Sequence, residues 1–477
     1  MIKAEIFLLA DFMQSKDIEE QLKKRNINSD SEIKKAIPIG LGSTHTIRLG
    51  ERLHVGMVRV RPKTQTQKVD NNRHSNSTEK FTFPTDTLLA YDIEISYYED
   101  DNNDDASIGV DNNDVMKKTQ RLNDLGLLSG DNSIIYNNNL HHLHGDTPPL
   151  PTFFIPGRAS KSLLNIIHGS CRKLHGKGED SLSIADKLIA ESVRNLNKRP
   201  SVLFLTGDQI YADDVAAPLI QHLTNFGIHL SGWEENIHGI DQKLTSIGVG
   251  ERQKLVQQYA KFTSENAGNH LLSFGEFAAM YLISWNIENW PKSYPHINTI
   301  PHKVQKIYGK EIEQLEKSKR SLPAVRRVLA NIPTYMIFDD HELTDDWNIT
   351  KELHDAVSSS VCGKQIMANG FAAYWAFQAW GNDPTIYDQK FVAKVTDYLA
   401  KQGNESIYER KEFEEFLLNF HAWSFYAPTN PPTIFLDCRT QRGYDTICGP
   451  PQLLNEEGLL ALYKLLKNAK YDTKKVL

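Results

Sequence analysis

The chain has 477 residues, of which 40% are hydrophobic and 24% charged, with 54 Lys and Arg against 60 Asp and Glu and a formal net charge of -6. This is the composition of a soluble globular protein with enough apolar residues for a sizeable core, and it excludes a disordered or fibrous chain. The mildly acidic balance argues against a broad nucleic-acid footprint, so nucleic acid is not the expected partner.

At roughly 150 residues per domain, the chain is expected to divide into a β-rich N-terminal accessory domain over residues 1–150 and an α/β domain over 151–477. At the N-terminus the only apolar run, 6–10, is broken by Asp11. Neither a secretory signal nor a membrane span is expected there. Cys171, Cys362, Cys438 and Cys448 form no CxxC pair and are too few for a disulfide framework in a chain of this length. A reducing cytoplasm is the expected compartment.

Residues 47–60 and 81–98 alternate Val, Ile, Tyr and Thr with polar residues, the period of half-buried strands. Between and after them, 64–80 and 99–115 are rich in Asp, Asn, Ser and Thr and read as solvated loops. The run 101–114 superficially resembles a calcium loop, but Ala106 stands where such a loop needs glycine, and its twelfth position lacks a glutamate. His141, His142 and His144 precede Gly145, Asp146 and a proline-rich stretch at 148–156, which reads as an exposed loop and an interdomain linker.

Beyond the linker, strands alternate with helices. Residues 163–168 form a continuous apolar run, expected to be a strand buried on both faces and ended by Gly169. Ser181 is expected to cap a helix with Leu182, Ala185, Leu188, Ile189, Val193 and Leu196 on one stripe. Residues 201–206 return as a second strand, completing a right-handed βαβ unit. A mostly helical insertion spans about 215–330, 334–338 and 433–436 are a third and a fourth strand, and the Trp-rich stretch 371–380 is a helix of the core.

Three of these strands run out into metal-binding residue types: Gly169-Ser170-Cys171, the segment 207–211 with Asp208 and Tyr211, and the segment 339–342 with Asp339, Asp340, His341 and Glu342. Ligands collect beyond the carboxyl ends of strands in open α/β sheets, so the three tips are expected to meet. Such a cluster suits hydrolysis of a phosphate ester with two metals, which a carboxylate such as Asp208 bridges at about 3.5 to 4 Å. A thiolate and a phenolate favour iron, whereas carboxylates and water suit calcium, magnesium or manganese. His341 is then fitted to donate a proton to the leaving oxygen.

Five blocks come one after another in order: 168–173 (His-Gly-Ser-Cys-Arg-Lys), 205–214 (Leu-Thr-Gly-Asp-Gln-Ile-Tyr-Ala-Asp-Asp), 338–348, 374–384 and 435–442. Together they resemble the signature blocks of the PhoD-like alkaline phosphatase/phosphodiesterase family of metallophosphoesterases. The resemblance implies a metallophosphoesterase-like α/β fold of mixed sheets flanked by helices, preceded by a small all-β accessory domain. It also implies hydrolysis of phosphate monoesters or diesters by a two-metal, hydroxide-attack mechanism, with iron plus calcium or another divalent ion. Carried over by position, Cys171, Asp208 and Tyr211 hold an iron-like ion, Asp208 and Asp340 hold a second ion, and His341 and Asp208 are catalytic. Asp340 stands where wider metallophosphoesterases place the Asn of a Gly-Asn-His motif, and Tyr211 matches the Gly-Asp-x-x-Tyr form of purple acid phosphatases. Arg172, Arg439 and Arg442 are candidates for the substrate phosphate, because a guanidinium matches phosphate bidentately. Asp339, Asp345 and Asp346 read as supports of neighbouring groups, and Asp437 with Arg439 as a structural ion pair.

The family pattern also includes a later Gly-Asp-x-His segment, and this sequence has no His after His421. The expectation is therefore a first shell short of ligands in this chain, and weak or absent activity. The alternative reading is a non-catalytic family member that binds phosphate or a partner as a scaffold, and metal content distinguishes the two.

Overall fold

The structure, a computed structural model, describes residues 1–8, 38–63, 82–99, 116–136, 150–157, 164–401 and 403–469. The polar stretch 64–80, the calcium-like run 101–114 and the histidines His141, His142 and His144 lie outside the described residues.

The N-terminal residues build an antiparallel sheet in the order β5 (Arg61–Pro62), β2 (Gly40–Thr44), β1 (Ile2–Leu8), β6 (Leu88–Glu99), β7 (Met116–Arg121), with β8 (Thr152–Phe154) also paired to β6 and a separate antiparallel pair formed by β3 (Ile47–Arg48) and β4 (His54–Val55). Residues 6–8 of the apolar run at the N-terminus thus belong to a strand, with Ile2 paired to Ile95 and Leu8 to Leu89. The stretch expected to be a linker is likewise partly a strand, because Phe154 pairs with Leu88. This sheet is fastened to the α/β part by buried polar groups. The fully buried Arg199 donates to Thr152 O at 2.7 Å and Asn331 O at 2.9 Å, and Tyr91 Oη donates to Ala330 O at 2.7 Å.

The α/β part is centred on a parallel three-stranded sheet, β11 (Thr334–Met336), β10 (Val202–Leu205), β9 (Ile166–Gly169). The middle strand is buried throughout because each face is covered. On one face Leu203 and Leu205 pack with Ala185 and Ile189 of the helix Ser183–Ser192, with Val193 just after it, and with Val325 and Val328 of the helix His302–Ala330. On the other, Val202, Phe204 and Ile337 pack with Phe425, Ala427 and Phe435. These last come from a two-stranded antiparallel sheet, β12 (Phe425–Ala427) with β13 (Thr433–Phe435). The architecture is mixed α/β, with several sheets flanked by helices.

The strand expected at 433–436 is present as Thr433–Phe435 and lies in the second sheet, where its Phe435 ring meets Phe204 edge-on at 5.0 Å. Three sequence expectations are corrected here. Strand β9 is an edge strand with Ile166 46% exposed, so it is not buried on both faces. Leu188 is 48% exposed and lies off the helix's buried stripe. Ser181 does not cap that helix by its side chain; Asp180 Oδ1 accepts from the Leu182 amide at 3.0 Å instead.

The stretch from Ala217 to Ala330 is mostly helical, and its helices Ala217–Ser231 and Phe274–Trp285 feed the largest core. The Trp-rich segment belongs to that core, with Trp375 fully buried. No helix among the described residues is long and apolar enough to cross a membrane.

Candidate metal centre

Three parallel strands deliver their carboxyl ends to one edge, and backbone hydrogen bonds sew the departing loops together. The Cys171 amide donates to Gly207 O at 3.0 Å, the Arg172 amide to Asp208 O at 2.7 Å, and the Ala212 amide to His341 O at 2.7 Å. The turn after β10 is tight: Gly207 has φ +121°, and a Cβ there would lie 2.4 Å from the Asp339 Cβ. Only glycine fits that approach. Asp208 and Cys171 sit in the sharp turns with φ of +55° and +58°, a left-handed conformation that Asp tolerates better than Cys. Strain of this kind, of about 1–3 kcal/mol per residue, concentrates at functional sites.

These turns gather the acidic groups. Ligand atoms of Asp208, Asp340 and His341 lie within 4.8 Å of one another, and those of Asp340, Asp345 and Asp346 form a second such group. Cys171 Sγ is 3.2 Å from Asp208 Oδ2. The Tyr211 ring stacks on the His341 ring with centroids 4.2 Å apart. Cys171, Asp208, Tyr211, Asp340 and His341 are therefore linked into one cluster, with Asp208 accepting from both the Cys171 thiol and the His341 amide.

The charges in the cluster are not balanced. Burial, opposed by the Cys171 hydrogen bond and the His341 charge and reinforced by Asp339 and Asp340, pushes Asp208 up to about 6. Burial and the negative charge of Asp208 also raise the Tyr211 phenol, and burial raises the Cys171 thiol. Crowded, desolvated anions are the electrostatic mark of a site that gains from a cation. The donor set of carboxylates, imidazole, thiol and phenol fits a hard or borderline metal ion.

His341 has a partner that no sequence signal singles out. Its Nδ1 lies 2.7 Å from Oδ1 of the buried Asp213, whose other oxygen accepts from Ser264 Oγ at 2.7 Å. Although desolvation opposes it, the hydrogen bond to Asp213 and the charges of Asp213 and Asp208 raise His341 to about 9. The corresponding stability is fully present below the unfolded value near 6.5 and is lost as pH rises through about 9. Asp213→Asn should return His341 towards 6.5 and remove the stability gained between those pH values. A titration of the imidazole proton resonances of the metal-free protein checks this, and an unmoved midpoint contradicts it.

Glu342, read in the sequence as one of the metal-binding residue types at the third tip, instead turns inward and sits under the floor of the site. It is fully buried. Its Oε2 accepts from the amides of Asp208 at 2.9 Å and Asp339 at 2.8 Å, and its Oε1 from the Gln209 amide at 2.7 Å and Gln378 Nε2 at 3.2 Å. One carboxylate thus joins the loop after β10 to the loop after β11. Burial first, and then the charge of Asp208, push it up to about 7 against those three amides, which favour the anion. The acidic residue closing the segment 339–342 is visible in sequence, but nothing local says that it turns inward.

The arginines separate. Arg439 donates through Nε to Asp339, and its Nη2 lies 3.2 Å from Asp340 Oδ2, so it belongs to the cluster. The ion pair expected between Asp437 and Arg439 is not formed; the buried Asp437 accepts the Arg439 amide at 2.9 Å and the Thr440 amide at 2.8 Å, shaping a turn. Arg442 Nε donates to Cys438 O at 2.9 Å, and its guanidinium lies near enough to Asp339 and Asp340 to feel their charges. Arg172 is held elsewhere, by Asp180 at 2.8 Å, Ser284 O at 3.0 Å and the face of Trp285 at 4.4 Å. Lys173 and His175, at 3.2 Å from its Nε2, both bind Asp214 beside Tyr211.

No family model and no curated protein matches this chain. Among solved structures, one titled "Structure of PhoD" aligns with it at a TM-score of 0.31 and 12% identity, over 68% of this chain and 43% of that one. The chain therefore spans less than half the length of that structure.

Proposed function

We propose that this chain carries the site of a metal-dependent phosphoesterase that hydrolyses phosphate monoesters or diesters. The observation that supports it most is Asp208: a buried carboxylate raised to about 6, with Cys171, Asp340 and His341 around it. Cys171, Asp208 and Tyr211 would hold one ion, and Asp208 with Asp340 a second, iron with calcium or another divalent ion being the pair that this donor set suits. When bound, the ions would neutralise charge on the phosphoryl oxygens and favour attack by hydroxide. Arg439 holds Asp339 and Asp340 in place, and Arg439 and Arg442 are the guanidinium groups that would add phosphate contacts.

His341 supplies the proton. Held by Asp213 through Nδ1, it presents Nε2, whose nearest carboxylate, Asp345, is 3.8 Å away. An imidazolium kept protonated to about pH 9 can donate to a leaving alkoxide. His341→Ala should lower turnover by about 10²- to 10⁴-fold while metal content stays near that of the parent. The test is to measure bound iron and calcium and to assay chromogenic phosphate monoesters and diesters, with each metal added back. A protein that takes up no metal and hydrolyses neither ester sinks the proposal, and equal metal loss in His341→Ala overturns the division of roles.

A further inference from the structure

The helix Glu456–Asn468 is a sparsely covered element of the α/β part. It is anchored at its start, where the Gly458 amide donates to Asn455 Oδ1 at 2.8 Å and the Asn455 amide to Gln441 O at 2.6 Å. Within the helix only Gly458 is buried, and Ala461, Leu462, Leu465 and Leu466 are half-buried. Leu459, Leu460 and Tyr463 stand out at 54%, 60% and 65% exposed. Three large apolar side chains exposed on one helical turn are an interaction surface, not the scattered exposure of an ordinary surface.

The charges on that face are ordered. At about 100° per residue, Glu456, Leu460, Tyr463 and Lys467 lie on one line along the helix, with Leu459 beside it. The acidic end is reinforced by Glu457 and the basic end by Lys464. None of these four charged side chains has a hydrogen-bond or ionic partner among the described residues. The pattern is its own complement. A second copy laid antiparallel about a two-fold axis between positions 461 and 462 sets Glu456 against Lys467 of the partner subunit, and Leu460 against Tyr463 of the partner subunit. A parallel copy would set like charges together, which is unfavourable. The helix dipoles favour the antiparallel arrangement as well. A lipid surface fits less well, because helices that lie on membranes carry an excess of Lys and Arg on the polar face, whereas this one carries two acidic and two basic residues.

We infer that the exposed face of the helix Glu456–Asn468 docks on the same face of a second copy of this chain, antiparallel, with Leu459, Leu460 and Tyr463 at the centre and Glu456–Lys467 pairs at both ends. Two such pairs and a small apolar centre bury less than a standard interface, so the association is concentration-dependent and weakened by salt.

Sedimentation of the full chain over a wide concentration range tests this, with circular dichroism confirming that each variant is folded. The parent should show a monomer–dimer equilibrium. Glu456→Lys alone and Lys467→Glu alone should each raise the dimer dissociation constant about tenfold or more, because like charges then face each other. The double reversal should restore it to within about threefold of the parent, because opposite charges meet again. Leu460→Asp should leave monomer only. A parent that stays monomeric, an assembly indifferent to the single reversals, or a double reversal that fails to restore pairing would each overturn the inference.

Discussion

Asp208→Asn should abolish function and stabilise the metal-free protein at the same time. The amide is nearly isosteric and keeps the left-handed backbone at φ +55°, a conformation that Asn tolerates at least as well as Asp. The fold is therefore retained. If Asp208 holds two ions as proposed, an amide would be a poor substitute for its carboxylate, so metal affinity should fall by about 100-fold or more, beyond the effect of losing an outer-shell partner. Turnover on a phosphate ester should fall by about 10³-fold or more, corresponding to several kcal/mol of lost charge stabilisation. The stability effect has the opposite sign. Asp208 is raised from 3.8 to about 6, so the folded chain binds a proton that the unfolded chain has released, and stability falls as pH rises between those values. Replacing the carboxylate removes that loss, so at pH 8 the metal-free variant should be more stable by about 1–3 kcal/mol. Paired denaturation curves at pH 5 and pH 8, run with metal analysis, check both effects. A variant that keeps its metal, or that is destabilised at pH 8, contradicts the role assigned to Asp208.

The residues of this cluster are legible in the sequence because a parallel strand announces itself as an apolar run, and the residues just beyond its last position must lie at the sheet's carboxyl edge. Leu203 and Leu205 make β10 recognisable, and Asp208 is placed by standing three residues beyond the strand's last residue. The hidden part depends on contacts between distant segments. The bond between His341 and Asp213 spans 128 positions, and Asp213 is one of several acids in its segment. Arg439 reads as the partner of the nearby Asp437, yet its side chain crosses about a hundred positions to Asp339 because Asp437 is committed to its own turn. Strand β13 is recognisable as a strand, but its sheet is not, since an apolar run is equally suited to extending a sheet and to covering its face. Leu188 misleads for a simpler reason: a helix edge next to an apolar stripe is still a surface position.

Glu342→Ala should be the most destabilising substitution near the site, although Glu342 is assigned no metal and no substrate contact. The truncation leaves the amides of Asp208, Gln209 and Asp339 without their acceptor in a place that excludes water. Each stranded buried donor costs about 1–3 kcal/mol, so the sum is about 3–6 kcal/mol even with some relaxation. Against a typical total of about 5–15 kcal/mol, that brings the chain close to unfolding. Glu342→Gln is the informative companion. Its carbonyl oxygen can keep the Asp208 and Asp339 amides, and its NH₂ can meet Gln378 Oε1, which is buried without a partner, once that amide turns. The Gln variant should therefore cost about 1–3 kcal/mol and stay folded. Because the two loops remain joined, it should also still bind metal. Thermal unfolding of the two variants beside the parent measures the ordering. If Glu342→Ala melts within a few degrees of the parent, the two loops are held by something other than this carboxylate.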